Sequence, residues 1–313
     1  MAAAGLLLLP LCASINLASS SKDCHAADKA ALLAIKSAFT NSSYLSSAWD
    51  STAAPGLLRV LARPAIAGLA HLRALTFFKV PGVSGPIPSS LADLSKTLTT
   101  LTISRTGVSG PIPSALGAWL PALHELDLSF NALAGAIPPS LAAARNLTVL
   151  DLSRNRLSGA IPPHLFSGFV PSTGESGVYL ALSHNNLSGA IPARFAGVSY
   201  LGFDVSRNKL TGDASPVLSG AGRPLRAVNL ARNAFSFDLS RVEFPEDVEF
   251  VDLSHNAVYG GVPAASRNCS SSTSATTCSA ARSRRGSAGS TPTASSTTSA
   301  SALAAAMDTG QLR

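Results

Sequence analysis

Residues 150–163 read LDLSRNRLSGAIPP, and residues 126–139, 24 positions earlier, read LDLSFNALAGAIPP. Aligned on the Asn that closes each LxLxxN, the phrase recurs at Asn131, Asn155, Asn185, Asn208, Asn233 and Asn256, with gaps of 24, 30, 23, 25 and 23 residues. Two earlier copies, LTFFKVPGVSGPIP and LTISRTGVSGPIP, keep the frame without the Asn. A period of this length marks one structural unit written out many times, each unable to bury its apolar face alone.

The phrase explains itself physically. Leu150 and Leu152 stand two apart, which sends both side chains to one face of a short strand, while Asp151 and Ser153 face the other way. The Asn at the turn offers its amide to backbone groups of the adjacent coil, which have no regular ladder there. Gly135, Gly159, Gly189 and Gly212 occupy matching places where the chain requires an angle that a side chain disfavours, and Ile-Pro then restarts an extended segment. With strands ~4.8 Å apart, about eight coils give a parallel sheet roughly 40 Å long.

At 313 residues and 46% hydrophobic content the chain supplies an ample core for one elongated unit. Residues 1–20 have the short apolar run and small-residue end of a secretory signal, and no later stretch reaches the ~18 apolar residues that a membrane helix needs. The sequons at Asn41, Asn146, Asn186 and Asn268 suit a secreted glycoprotein. After signal removal three cysteines remain: Cys269 and Cys278 are spaced to close a small loop, and Cys24 is the odd one. Residues 24–263 hold 18 Lys plus Arg against 15 Asp plus Glu, so the body is only mildly basic. Half of the +7 surplus sits beyond residue 263, and no aromatic stacking pattern accompanies it, which argues against nucleic acid as a partner.

The consensus LxxLxLxxNxLxGxIP resembles the extracytoplasmic plant variety of leucine-rich repeat. The irregular copies narrow the likeness: DVSRNKLTGDAS, then VNLARNAFSFDLSRV, then VDLSHNAVYGGVP follow the order seen in the polygalacturonase-inhibiting proteins of plant cell walls. The resemblance covers about residues 24–263. It implies an α/β leucine-rich-repeat solenoid, a curved right-handed coil with a parallel β-sheet on its concave face. Residues 21–60 resemble the family's N-terminal cap, a helix over the first coil, without the cysteines that usually bolt it; residues 61–263 are the solenoid. Residues 264–313 depart from the family's C-terminal cap. From Ala264 to Ala302 they contain no Leu, Ile, Val or aromatic residue, a composition expected to stay disordered.

Two outward columns are expected on the strands. The residue between the core leucines gives Thr102, Asp127, Asp151, Ala181, Asp204, Asn229 and Asp252; the residue before the Asn position gives Lys79, Arg105, Phe130, Arg154, His184, Arg207, Arg232 and His255, with Tyr179 beside them. An acidic column beside a basic one either solvates the sheet or meets a protein partner, with charge setting specificity. The resemblance implies the latter, with fungal endopolygalacturonase as the protein bound and the polyanion pectin as a second ligand, no cofactor and no membrane anchor. Repeats of this kind equally serve secreted recognition of a peptide or a receptor kinase, or survive in a truncated, inactive relative. Enzyme chemistry finds little support: Ser183-His184 and Ser254-His255 lack a nucleophile elbow, and the six histidines have no paired ligand spacing.

Overall fold

A computed structural model describes residues 73–79, 84–94, 97–169, 176–219, 224–245, 248–261, 269–272 and 275–279. They belong to two units that divide between Val170 and Pro171. The signal and cap segments, Cys24, Asn41 and Asn268 lie outside the described residues.

In the first unit eight strands alternate between two sheets. The first sheet runs β1 (Ala74–Phe78), β3 (Thr100–Ser104), β5 (Glu125–Asp127) and β7 (Val149–Asp151), each parallel to the next and in register. Leu126 stands opposite Leu101 on one side and Leu150 on the other, and all three are fully buried. Each such side chain contributes about 1.5–3 kcal/mol of burial. The second sheet was not apparent from the sequence. It comprises β2 (Ser84–Gly85), β4 (Gly107–Pro111), β6 (Ala132–Ala136) and β8 (Arg156–Gly159), again parallel. Its strands are the LSGAI portions, one apolar residue per strand turned inward: Val108, Leu133 and Leu157 are fully buried. Gly135 and Gly159 hold φ of +84° and +80° inside these strands. A Cβ on Gly135 would sit 3.9 Å from the Cβ of Pro111, an ordinary contact, so the backbone angle and not crowding demands glycine.

The second unit repeats the plan with β9 (Val178–Ala181), β11 (Tyr200–Asp204), β13 (Ala227–Asn229) and β15 (Phe250–Asp252) in one sheet. The other sheet holds β10 (Asn186–Ala190), β12 (Lys209–Gly212) and β14 (Ala234–Phe235). Its core is more aromatic, with Tyr200 edge-on to Phe203 at 5.0 Å between centroids. The irregular repeats now have a physical reading. In GDAS the carboxylate of Asp213 accepts the Ser215 N–H at 2.7 Å as α2 (Ser215–Leu218) begins, α1 being the turn Leu116–Trp119 of the first unit. In FSFDLS, Asp238 accepts from both the N–H and the hydroxyl of Ser240, at 3.0 and 2.6 Å, and opens the 3₁₀ turn Leu239–Arg241. In FSFDLS an Asp cap thus replaces the Pro that starts the turn Pro139–Ala143 in the regular coil, while α2 after GDAS keeps Pro216 in its first turn.

One feature is not suggested by composition. Within the tail, β16 (Cys269–Ser272) and β17 (Ala275–Ser279) pair antiparallel, and β17 pairs antiparallel with β15. A Ser/Thr-rich segment has no core to bury, but the open edge of β15 offers backbone N–H and C=O groups that need no core to be satisfied. In this register Cys269 stands opposite Cys278.

The Asn ladder binds coil to coil. The Asn155 amide nitrogen lies 2.9 Å from the Leu128 carbonyl of the previous coil and 3.1 and 3.2 Å from those of Leu152 and Ser153 in its own. Its Oδ1 accepts the Leu133 N–H of the previous coil at 3.0 Å. Asn155→Ala leaves a buried N–H and buried carbonyls without their partner, which costs about 2–4 kcal/mol. Urea unfolding of the purified variant measures this. A loss below about 0.5 kcal/mol would mean that the coils do not depend on the ladder.

Candidate functional site

In each unit the strands that carry the core leucines bear both columns, and the structure separates them into two kinds of residue. The column between the core leucines turns inward for its hydrogen bonds. Asp127, Asp151, Asp204 and Asp252 each accept, on Oδ1, the backbone N–H two residues ahead, at 2.8–2.9 Å. Asn229 does the same to Ala231 at 3.2 Å. These are Asx turns that end the strand and start the bend. Asp151 and Asp204 are 4% and 2% exposed, so their carboxylates are occupied in the turn. Asp127 and Asp252 stay half-exposed.

The second column is the outer one, and its backbone is unusual. Lys79, Arg105, Phe130 and Arg154 in the first unit have φ of 51°, 55°, 53° and 55°; His184, Arg207, Arg232 and His255 in the second have 55°, 53°, 58° and 56°. This left-handed region is uncommon outside Gly, Asn and Asp, and costs about 1–2 kcal/mol for a residue with a bulky side chain. The ladder imposes it. Arg105, Phe130, His184, Arg207 and Arg232 each donate their N–H to the carbonyl of the residue before the corresponding position in the next coil, at 2.8–3.2 Å. Sequence reading found the residues but not the conformation, because the usual marker of this region, a Gly or Asn, is missing from the position.

Lys79, Arg207, Arg232 and His255 are exposed, while Arg105, Phe130, Arg154 and His184 are half-buried. In the first unit two guanidinium groups approach the Phe130 ring, with Arg105 Cζ 3.7 Å and Arg154 Cζ 4.8 Å from its centroid. Lys79 Nζ stands 5.2 Å from the ring centre of Phe78, which is itself 40% exposed. In the second unit Tyr179 is only 5% exposed, its ring lying over Gly202 of the neighbouring strand; a Cβ there would collide with it. Ser183 is buried, which removes it as a nucleophile beside His184. Among the described residues no group of three or more His, Cys, Asp and Glu is placed to hold a metal ion, and no helix is long and apolar enough to cross a membrane. Of the sequons, Asn146 is exposed in the loop before β7, and Asn186 is exposed at the start of β10.

Two carboxyl groups of the first unit are electrostatically strained. Burial pushes the Asp127 carboxyl above its ordinary value, against the opposing pull of the Ser129 hydrogen bonds and of Arg105. Burial and the nearby Asp127 push Glu125 the same way. A raised carboxyl binds its proton more tightly in the folded than in the unfolded chain, so stability is lost as pH rises from the ordinary carboxylate value, about 4, through the raised one. Asp127→Asn keeps the turn acceptor, as Asn229 demonstrates in the same chain, and removes the charge. The variant is expected to be more stable than the parent at pH 7, with the difference shrinking toward pH 4. Thermal midpoints across that range check it; a difference constant with pH would locate the effect elsewhere.

Comparison with known proteins follows the same lines. Residues 122–144 and 146–167 match the Leucine Rich Repeat family model. The polygalacturonase inhibitor of Pyrus communis is 44% identical over 66 residues, 21% of this chain and 20% of that protein. The chain thus spans, in its aligned segment, about a fifth of the length of that curated relative. Among solved structures, that of a plant ice-binding protein is 36% identical, with a TM-score of 0.61 over 75% of this chain and 80% of that one. That of the Arabidopsis receptor kinase HAESA, in complex with the peptide hormone IDA and the co-receptor SERK1, is 29% identical with a TM-score of 0.52, over 64% of this chain and 33% of that one.

Proposed function

The chain belongs to the leucine-rich-repeat family and is closely related in sequence to several polygalacturonase inhibitors, and from that premise we propose that it is a secreted plant cell-wall defence protein that binds and inhibits fungal endopolygalacturonases. The observation that supports the reading most is the outer column: seven of its eight members are Lys, Arg or His, and each is held at one backbone angle in its own coil. Within each unit, a basic side chain at this one position in most coils suits an enzyme whose substrate is cleaved between carboxylates, because such chemistry needs acidic groups at the cleft. Charge speeds encounter and fixes register, while the buried Asp residues hold the sheet that displays it. The protein acts by occupying the cleft and performs no chemistry of its own. Pectin is the second ligand of this reading, held weakly and in a salt-dependent way by the same cations.

A second reading draws on the HAESA complex, in which a related repeat surface meets a peptide hormone. On it the same face recognises an extracellular peptide or a receptor kinase, and inhibition of pectin-degrading enzymes is absent.

Purified protein assayed against a panel of fungal endopolygalacturonases separates the two. Inhibition of at least one enzyme is expected, together with a tenfold or greater weakening in Arg154→Glu and in Arg207→Glu. Tenfold corresponds to about 1.4 kcal/mol, within the range for a charged pair at a partly desolvated interface. No inhibition by the parent protein across the panel would reject the inhibitor reading.

A further inference from the structure

Asparagine recurs at one place in the bend of six coils, and in one coil a second Asn stands directly beside it. The residue two beyond each ladder Asn is the apolar side chain that the second sheet turns inward: Leu133, Leu157, Leu187, Leu210 and Phe235 are buried, and Val258 is half-buried. The core therefore keeps Ser and Thr out of that place, and no ladder Asn begins an Asn-x-Ser/Thr sequon. This exclusion protects the frame, because carbohydrate on the Asn155 amide nitrogen would take a donor from the carbonyls of Leu128, Leu152 and Ser153.

Asn186 differs by a single step along the chain. It opens β10, in which an exposed residue is followed by a buried one and then by three exposed ones, so Asn186 and Ser188 lie on the solvent side of the fully buried Leu187. Its neighbour Asn185 turns its amide nitrogen to the carbonyls of Leu182 and Ser183 instead, at 3.1 and 3.2 Å. Arg156 and Lys209 hold the place of Asn186 in their own coils, at the start of β8 and β12. Both are exposed, and both are followed by a buried Leu and then by Ser158 or Thr211.

We infer that Asn186 is a site of N-linked glycosylation, and that the first residue of a second-sheet strand is an acceptor position built into the coil. The donor is an oligosaccharide carried on a lipid diphosphate. Asn186 Nδ2 bonds to the anomeric carbon of the sugar, the bond from that carbon to the diphosphate oxygen breaks with its electron pair leaving on the lipid diphosphate, and one Nδ2 proton is released. The side-chain carbonyl is unchanged. Because Asn186 is exposed and the ladder bonds belong to Asn185, the carbohydrate displaces no part of the frame. It stands two residues beyond His184 of the outer column, on the strand of the second sheet. The modification depends on the secreted part of the reading above, since a sequon is an acceptor only in a secreted protein.

The full chain expressed in plant cell culture tests both parts. Peptides from the protein in the medium are treated with peptide N-glycosidase in heavy-oxygen water, which converts each glycan-bearing Asn to a labelled Asp, and are mapped by mass spectrometry. The parent is expected to carry the label at Asn186 and at none of the six ladder asparagines. Ser188→Ala is expected to lose the label at Asn186 while the thermal midpoint of the deglycosylated protein stays unchanged. Arg156→Asn completes Asn-Leu-Ser and Lys209→Asn completes Asn-Leu-Thr, and each is expected to gain one glycan in a protein that still folds and reaches the medium. An unmodified Asn186 in the secreted parent, or a label on a ladder Asn, overturns the site. Failure of both Arg156→Asn and Lys209→Asn to take a glycan overturns the acceptor position. A parent retained in the cytosol with Asn186 unmodified rejects this site and the secreted reading together, whereas absence of polygalacturonase inhibition with Asn186 modified rejects the inhibitor function alone.

Discussion

The hydrogen bonds of one amide side chain in each of six coils, buried at Asn155 and half-buried at Asn131, Asn185, Asn208, Asn233 and Asn256, hold the rest in place. In a regular sheet the backbone satisfies itself, but at the bend after each strand the carbonyls of two successive coils and one N–H point inward with no strand to receive them. Asn208 meets the carbonyls of Leu182, Val205 and Ser206 and the N–H of Leu187; Asn233 and Asn256 repeat the pattern one and two coils on. The amide has two hydrogens and three carbonyl neighbours, so at least one bond is shared. No other side chain of this size brings two donors and an acceptor together: Asp lacks the donors and Leu lacks both. Thr106, where the Asn is missing, fits this account, since its N–H and hydroxyl both turn to Asn131 Oδ1 of the next coil, at 3.2 and 2.6 Å.

From that constraint the division of labour on the sheet follows. Once the bend is fixed, its first N–H needs an acceptor, and the Asp between the leucines supplies it from the strand's outer side. What sequence alone presents as an acidic surface column is therefore largely part of the frame: each Asp accepts a backbone bond of the bend, and Asp151 and Asp204 are buried in doing so. The cost is visible at Asp127, raised by burial, and at Glu125, raised by burial and by the nearby Asp127. The outer column is set apart by its backbone, which takes the left-handed angle in every coil.

The repeats, the core leucines, the Asn ladder and the glycine angles were legible because each depends on spacing within one coil. Leu126 and Leu128 face inward as period two requires, and Gly135 takes the positive φ that its place implied. What was not legible depends on the neighbouring coil. The stretch Ala132–Ala136 has no strand pattern of its own, since Leu133 is its one buried side chain, and it becomes β6 through pairing with β4 and β8. The burial of Asp151 and Asp204 is hidden for the same reason: an Asp in LDLS reads as exposed until the bend closes over it. The GDAS and FSFDLS stretches are family markers in the sequence; the structure adds that in each an Asp carboxylate accepts a backbone N–H two residues on. The tail strands β16 and β17 illustrate the limit of composition, which measures the lack of a core but not the attraction of an open edge.

The outer column also bears on how such a surface acquires specificity. A left-handed residue in every coil is a standing cost, about 1–2 kcal/mol each, and a Gly, Asn or Asp at the position would relieve most of it. The chain instead places Lys, Arg, Phe and His there, side chains that differ in charge and shape but share reach. The bonds that fix the position are made by backbone N–H and C=O groups, as where the Arg154 carbonyl accepts the Asn131 N–H and the Phe130 N–H is donated to Ser153, so the same bend recurs with a cation or a ring at its outer residue. Arg105, Phe130 and Arg154 then meet across three successive coils, an assembly that no single repeat encodes.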